Sequence, residues 1–291
     1  MMKKLDKIFN NSKRISMDED IKIVIMSDCH RGAGDNQDNF INNQNIFDSA
    51  LDYYYKKGFI YVELGDGDEL WEVKKCKDIV DVHLDTFKRL KKFNDTGRLI
   101  MIYGNHDIIK HTPLALKECF YEHYNKISKQ NESLLDKLIA YESLVIEYNS
   151  HEIFLIHGHQ VDFINGTMWK LSRFIIRYLW KPLEHIGIKE PISAAKNHRI
   201  SKNIERRLEK WSIKNNKIII SGHTHKPVYP IVGESLYFNT GSCIHPNGIT
   251  SIEIEKGNIT LVRWEFKINK GKLISVKRKV LEKEEINNFF K

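Results

Sequence analysis

Ile21-Lys22-Ile23-Val24-Ile25-Met26-Ser27-Asp28-Cys29-His30 is the stretch on which the fold turns. A short, mostly apolar and β-branched run stops abruptly at a carboxylate and an imidazole one residue apart. Runs of this kind read as strands buried on both faces. The pattern recurs downstream. Phe59–Leu64 runs into Gly65-Asp66, and Leu99–Tyr103 into Gly104-Asn105-His106-Asp107. Ile153–Ile156 runs into His157-Gly158-His159, and Ile218–Ile220 into Ser221-Gly222-His223-Thr224-His225. Between the first three lie amphipathic stretches, roughly 42–57 and 77–93, long enough for crossover helices. The expected class is therefore α/β. Ligands of open α/β sheets gather beyond the carboxyl ends of the strands. One Asp or His after a strand is ordinarily a turn or cap residue; five polar clusters at the same kind of strand end point to one shared site.

The residue types indicate what that site holds. Mixed carboxylate, imidazole and amide donors suit borderline divalent cations such as Mn, Fe or Zn, rather than Ca or a closed thiolate zinc site. Two cations about 3.5–4 Å apart repel strongly and need a carboxylate between them, along with a bridging water or hydroxide.

The ordered set D-x-H, G-D, G-N-H-D, H-G-H, G-H-T-H resembles the calcineurin-like metallophosphoesterase superfamily, over Ile21 to about Ser242. The resemblance implies two facing mixed β-sheets flanked by helices, with a pair of divalent metal ions at one rim. It assigns Asp28, His30 and His225 to the first metal, Asn105, His157 and His223 to the second, and Asp66 to the bridge between them. His106 matches the family's catalytic histidine, with Asp107 as its expected orienting partner. Manganese is the first expectation for the metal, with Fe, Zn or Mg as alternatives. Within the superfamily the chain is most similar to the UDP-2,3-diacylglucosamine pyrophosphatase group. The residues behind that are Gly32-Ala33-Gly34-Asp35 with Asp38-Asn39-Phe40, the acidic Gly65-Asp66-Gly67-Asp68-Glu69, and Asn239-Thr240-Gly241-Ser242. Two departures bear on the substrate: His159 stands where that group has Asp, and Arg31 follows the first His. His159 is expected behind the ligands, as a hydrogen-bonding neighbour, and Arg31 among the substrate contacts.

The expected reaction is hydrolysis of a phosphodiester or pyrophosphate bond, with a UDP-sugar-lipid or other nucleotide-linked compound as substrate. A phosphomonoesterase or protein phosphatase is the alternative, and a DNA nuclease the second. A scaffold that had lost catalysis should lack ligands, and each expected ligand is present.

Composition bounds the rest. The chain has 291 residues, 41% hydrophobic and 29% charged, with no run near the roughly 20 apolar residues of a membrane span. Its first ten residues have no signal-peptide apolar core. The cysteines, Cys29, Cys76, Cys119 and Cys243, form no CxxC pair. A reduced, cytoplasmic protein is expected. The division expected is an extension over 1–20 and a catalytic domain over 21–291, carrying a helical lid insertion at about 162–215.

Net charge is +8, and residues 168–213 hold eleven Lys or Arg against four Glu. Two helices are expected there, Met168–Lys181 and about Ile192–Ile213, the first with apolar residues on more than one face. A basic helical hairpin of this kind either packs on the core or covers an amphiphilic phosphate ester. Its Trp and Lys/Arg also suit peripheral contact with a membrane surface. Nucleic acid is the less favoured partner, because no recognised nucleic-acid module accompanies the charge. Asn197, His198 and Arg199 are the candidates for reaching substrate.

Overall fold

The computed structural model describes residues 2–18, 20–35, 38–162, 166, 168–175, 197–268 and 274–290. Two mixed sheets face one another. One has seven strands in the order β15 (Ile274–Glu285), β14 (Asn258–Ile268), β13 (Ile249–Glu255), β2 (Lys22–Met26), β3 (Ile60–Leu64), β4 (Leu99–Ile102), β7 (Ala140–Tyr141). The other has six: β1 (Lys13–Ser16), β8 (Ser143–Tyr148), β9 (His151–Ile156), β10 (Ile218–Ser221), β12 (Tyr237–Thr240), β11 (Pro227–Val228). A separate hairpin pairs β5 (Glu122–Asn125) with β6 (Gln130–Ser133). The helices are α1 (Met2–Asn10), α2 (Gln44–Lys56), α3 (Cys76–Val82), α4 (Leu84–Asp95), α5 (Pro113–Phe120), α6 (Trp169–Ile175) and α7 (His198–Asn215).

The unbroken apolar character of the strands follows from this layering. In β2, Ile23 and Ile25 point between the sheets, joining Leu144, Ile153, Leu155, Ile218 and Ile220 of the opposite sheet. Their neighbours Val24 and Met26 point the other way, against Phe47, Leu51 and Tyr54 of α2 and Leu90 of α4. The second sheet is covered in turn: Val145, Phe154 and Ile219 pack under Leu5 and Phe9 of α1 and Leu208 and Trp211 of α7. Both faces of each central strand are buried, so alternation disappears from the sequence. Within each sheet the strands that carry the polar clusters run parallel: β2–β3–β4 in one, β9–β10 in the other. Their carboxyl ends therefore meet at one rim.

Several expectations change. Within the expected extension, α1 is docked on the second sheet through Leu5, Ile8 and Phe9, and β1 is an edge strand paired with β8. The stretch expected as one helix over 77–93 is two, α3 and α4, meeting at His83. In the insertion, the described part of the first helix is α6; residues 176–196, which include the remainder of that helix and the connection, lie outside the described residues. The second helix, α7, buries Ile204, Leu208 and Trp211 and so buttresses the sheet. Cys76 and Cys119 form a disulfide, Cα–Cα 5.5 Å, joining α3 to α5, which corrects the expectation of fully reduced cysteines. They stand 43 residues apart, a spacing with no sequence signature, and only the packing of the two helices brings them together. Cys29 and Cys243 are free and buried. No helix among the described residues is long and apolar enough to cross a membrane.

Candidate metal centre

The rim where the strands end gathers the expected ligands into two groups. Asp28, His30 and His225 each offer a ligand atom within 4.8 Å of the others, and so do Asp66, His157 and His223. The groups adjoin. His157 Nε2 is 3.0 Å from Asp66 Oδ2 and 3.9 Å from Asp28 Oδ1, and His30 Nε2 is 3.8 Å from Asp66 Oδ2. His225 Nε2 approaches Asp28 Oδ1 at 3.2 Å and His30 Nε2 at 3.3 Å. Asn105 is buried beside them, on the loop whose next residue donates its N–H to Asp66 Oδ1 at 2.8 Å.

The backbone is bent to achieve this. Asp28, His30, Asp66, His223 and His225 all have positive φ, between 47° and 68°. Non-glycine residues enter this left-handed region at a cost, and such strain concentrates at functional sites. It lets a side chain leave the strand end and turn back across the rim. The glycines beside them serve close approach: a Cβ at Gly104 would stand 2.1 Å from Asp66 Oδ1, and one at Gly222 2.6 Å from Asp28 Oδ2.

The donor set fits a pair of divalent cations. Two buried carboxylates lie among four imidazoles, and the Asn105 Oδ1 acceptor is buried with no hydrogen-bond donor among the described residues. An amide oxygen so placed is costly unless something positive meets it. Burial alone would raise Asp28, yet the imidazoles of His225 and His157 hold its carboxyl down at about 2. Burial would likewise lower His157, but Asp66 and Asp28 raise it to about 9. These residues are thus arranged to attract positive charge.

His106 lies at the edge of the first group, its ring 4.7 Å from that of His30 and stacked on Trp71 at 4.3 Å. Its Nδ1 pairs with Glu69 Oε1 at 2.7 Å, while Glu69 Oε2 takes His30 Nδ1 at 2.8 Å. One carboxylate therefore sets the tautomer of both rings, leaving Nε2 of each for other work. Burial would lift Glu69, but His106 and His30 hold it well below the usual carboxylate range. Asp107, expected in this role, is committed elsewhere. Its carboxylate accepts the N–H groups of Gly104, Asp66 and Gly67 at 2.7, 3.2 and 3.0 Å and pairs with Lys110 at 2.8 Å. The acidic run at 66–69 was the sequence signal for Glu69, but three carboxylates in four residues do not say which one reaches an imidazole.

The remaining expected residues divide. Arg31 is fully buried and held by Glu63 and Asp68, so it faces away from any substrate. Asn197 caps α7, its side chain accepting the N–H groups of Arg199 and Ile200. Arg199 lies on the exposed surface of α7 beside Lys202 and Arg206. His198 does approach the rim: its Nδ1 is 3.2 Å from Nζ of Lys226, the residue after His225. His159 is buried, its ring 5.5 Å from His157. Burial, and then the rings of His157 and His223, push it well below its ordinary value, so it is neutral. Asp162, which the motifs did not single out, places Oδ2 3.2 Å from His223 Nε2. Beyond His159 opens a cleft of about 590 Å³, bordered by Lys4, Tyr103, Glu142 and Trp169 among others.

Similarity to known proteins is as follows. The chain is 32% identical over 85 residues to a D-aminoacyl-tRNA deacylase from Methanococcus maripaludis, a stretch covering 28% of this chain and 34% of that protein. The chain thus spans about a third of the length of that curated relative. Among solved structures it is similar to Vps29 of Chaetomium thermophilum (TM-score 0.43, 10% identity, covering 91% of this chain and 97% of the other). It is also similar to a cold-active protein-tyrosine phosphatase of a psychrophilic Shewanella (TM-score 0.40, 15% identity, 93% and 82%). Residues 21–255 match the calcineurin-like phosphoesterase superfamily domain, and that span contains all seven expected ligands with His106; the chain belongs to this superfamily of phosphoric ester hydrolases.

Proposed function

We propose that this chain hydrolyses a phosphodiester or pyrophosphate bond in a nucleotide-linked or amphiphilic substrate, of the kind represented by a UDP-linked sugar lipid. Asp28, His30 and His225 would hold one divalent cation, and Asn105, His157 and His223 the other, with Asp66 shared. The observation that carries the reading is the position of Asp66, within 3.0 Å of a ligand in its own group and 3.8 Å of one in the neighbouring group. The cations, Mn first and Fe, Zn or Mg as alternatives, would supply an activated water and draw charge from the phosphoryl oxygens.

The chain's own groups do the rest. His106, fixed by Glu69 at Nδ1 and by Trp71 across its face, presents Nε2 to hold or give a proton at the leaving oxygen. Lys226, next to His225 and with His198 beside it, adds positive charge for an anionic part of the substrate. The cleft beyond His159 offers room for a substituent. Support for an amphiphile comes from α6, which exposes Leu171 and Phe174, with Met168 exposed just before it, on the helix that brings Trp169 to that cleft. The same surface suits peripheral contact with a membrane. Support for the UDP-2,3-diacylglucosamine pyrophosphatase group is the loop after His30 and the acidic run at 66–69.

A hydrolysis panel tests this: a monoester, a diester, a nucleoside diphosphate ester and DNA, each with Mn, Fe, Zn and Mg. Fastest turnover of the diester or the pyrophosphate is expected. Preference for the monoester would replace it with the phosphatase reading, and salt-sensitive DNA cleavage with the nuclease.

A further inference from the structure

Beneath the ligand loops lies a group of charged side chains that the reaction above does not use. Arg31, Glu63, Asp68, Asp107 and Lys110 are all 0 or 1% exposed. Arg31 grips Glu63 through two bonds of 2.8 Å and Asp68 through Nε at 2.7 Å. Lys110 Nζ stands 2.6 Å from Asp68 Oδ2, 2.8 Å from Asp107 Oδ2 and 3.6 Å from Glu63 Oε1. Glu63, Asp68 and Asp107 each turn an oxygen to within 4.8 Å of the others, the same convergence as in the two candidate metal groups. What meets them is a tethered ammonium rather than an ion.

The group is connected outward through Asp107. Its oxygens accept the N–H groups of Gly104, Asp66 and Gly67, which come from two different ligand loops. Asp66 sits between two of those bonds with φ at 51°, a conformation that persists only where the surroundings impose it. Its own Oδ1 then accepts the His106 N–H. Without Lys110 three buried carboxylates would face a single guanidinium. Asp107 Oδ2 would lose the ammonium that anchors it at 2.8 Å, and its carboxylate would be released to turn away from the amides it accepts. A carboxylate so released no longer fixes the three amides that converge on it.

We propose that Lys110 is a positioning residue: an internal cation among Glu63, Asp68 and Asp107 that keeps Asp107 holding the Gly104, Asp66 and Gly67 amides, and so aims the Asp66 carboxylate into the metal site. The proposal rests on the reading of Asp66 as a shared metal ligand.

Two variants of the full chain test it. Lys110→Met fills the space without the charge. The double variant Lys110→Met/Asp68→Asn removes one cation and one carboxylate together, leaving the net charge of the group unchanged. Three measurements apply: Mn2+ binding by calorimetry after chelation, amide hydrogen exchange, and steady-state hydrolysis of bis(nitrophenyl) phosphate. Expected in both variants are a native circular dichroism spectrum and a loss of tenfold or more in affinity for at least one Mn2+. A fall in kcat with KM within threefold of wild type is also expected, as is faster exchange at Gly104, Asp66 and Gly67. Unchanged Mn2+ affinity and exchange alongside a lowered Tm would overturn the proposal in favour of a purely structural role. So would failure of both variants to fold. If the wild-type chain binds no pair of Mn2+, it is the two-cation reading that fails, whereas the exchange rates still report whether Lys110 governs those three amides.

Discussion

Gly104→Ala is the sharpest perturbation of this site. The new methyl carbon would lie 2.1 Å from Asp66 Oδ1 and 2.5 Å from the Asp66 nitrogen. Carbon and oxygen approach no closer than about 3.3 Å, so the two loops must part by about 1.2 Å. The neighbour is a buried carboxylate bonded to the His106 N–H, on a backbone held by Asp107, and it has no free rotation by which to yield. The φ of Gly104 lies outside the left-handed region, so alanine adds a clash without backbone strain. Overpacking of this kind costs about 1–3 kcal/mol of stability. A displacement of about 1 Å at a reacting group costs on the order of 100-fold in rate. The variant should therefore remain folded, bind Mn2+ at least tenfold more weakly by calorimetry, and lose about two orders of magnitude in kcat against a diester at saturating metal. Turnover and metal affinity within threefold of wild type would show that Asp66 does not work where the site places it.

Glu69→Gln should lower turnover or metal affinity by about 10–100-fold, because an amide cannot accept from both His30 and His106; activity within twofold of wild type would refute the shared role. Cys76→Ser should cost about 4 kcal/mol in chemical denaturation under oxidising conditions, from the closed loop of 43-residue separation. Four titratable thiols in the denatured, unreduced chain would rule the bridge out. Asp38 gives a pH signature. Burial would raise it, but His83 at 2.8 Å and the Gly34 and Gly32 amides hold it below its ordinary 3.8. Its stabilisation is thus present above that value and lost as pH falls through the lower folded value. Asp38→Asn should be less stable at pH 7 and flatter in Tm against pH on the acid side; an unchanged acid limb would contradict this.

The Asp, Asn and His clusters at the strand ends and their order were legible because the side chains that can bind metal are few, and because burial on both sheet faces makes the preceding strands short and apolar. The termini and the central 112–148 stretch were less legible. Leu5, Ile8 and Phe9 gain meaning only from Phe154 and Trp211, and β1 only from β8. Arg31 shows the limit most clearly. Beside His30 in the chain, it reads as a substrate contact, yet Glu63 and Asp68 draw it under the loops. Glu69 and Asp107 were likewise both plausible partners for His106.

By itself, then, the order of residues determined the α/β architecture, the strand ends and the chemical kind of site, since each depends on local pattern and on ligand type. Which carboxylate touches His106, which cysteines join, and whether Lys110 and Arg31 face solvent or the interior were decided by the tertiary structure alone. The reason is physical: an ionised side chain goes to whichever opposite charge and burial the fold offers within a few ångströms, and that neighbour is set by packing between distant segments.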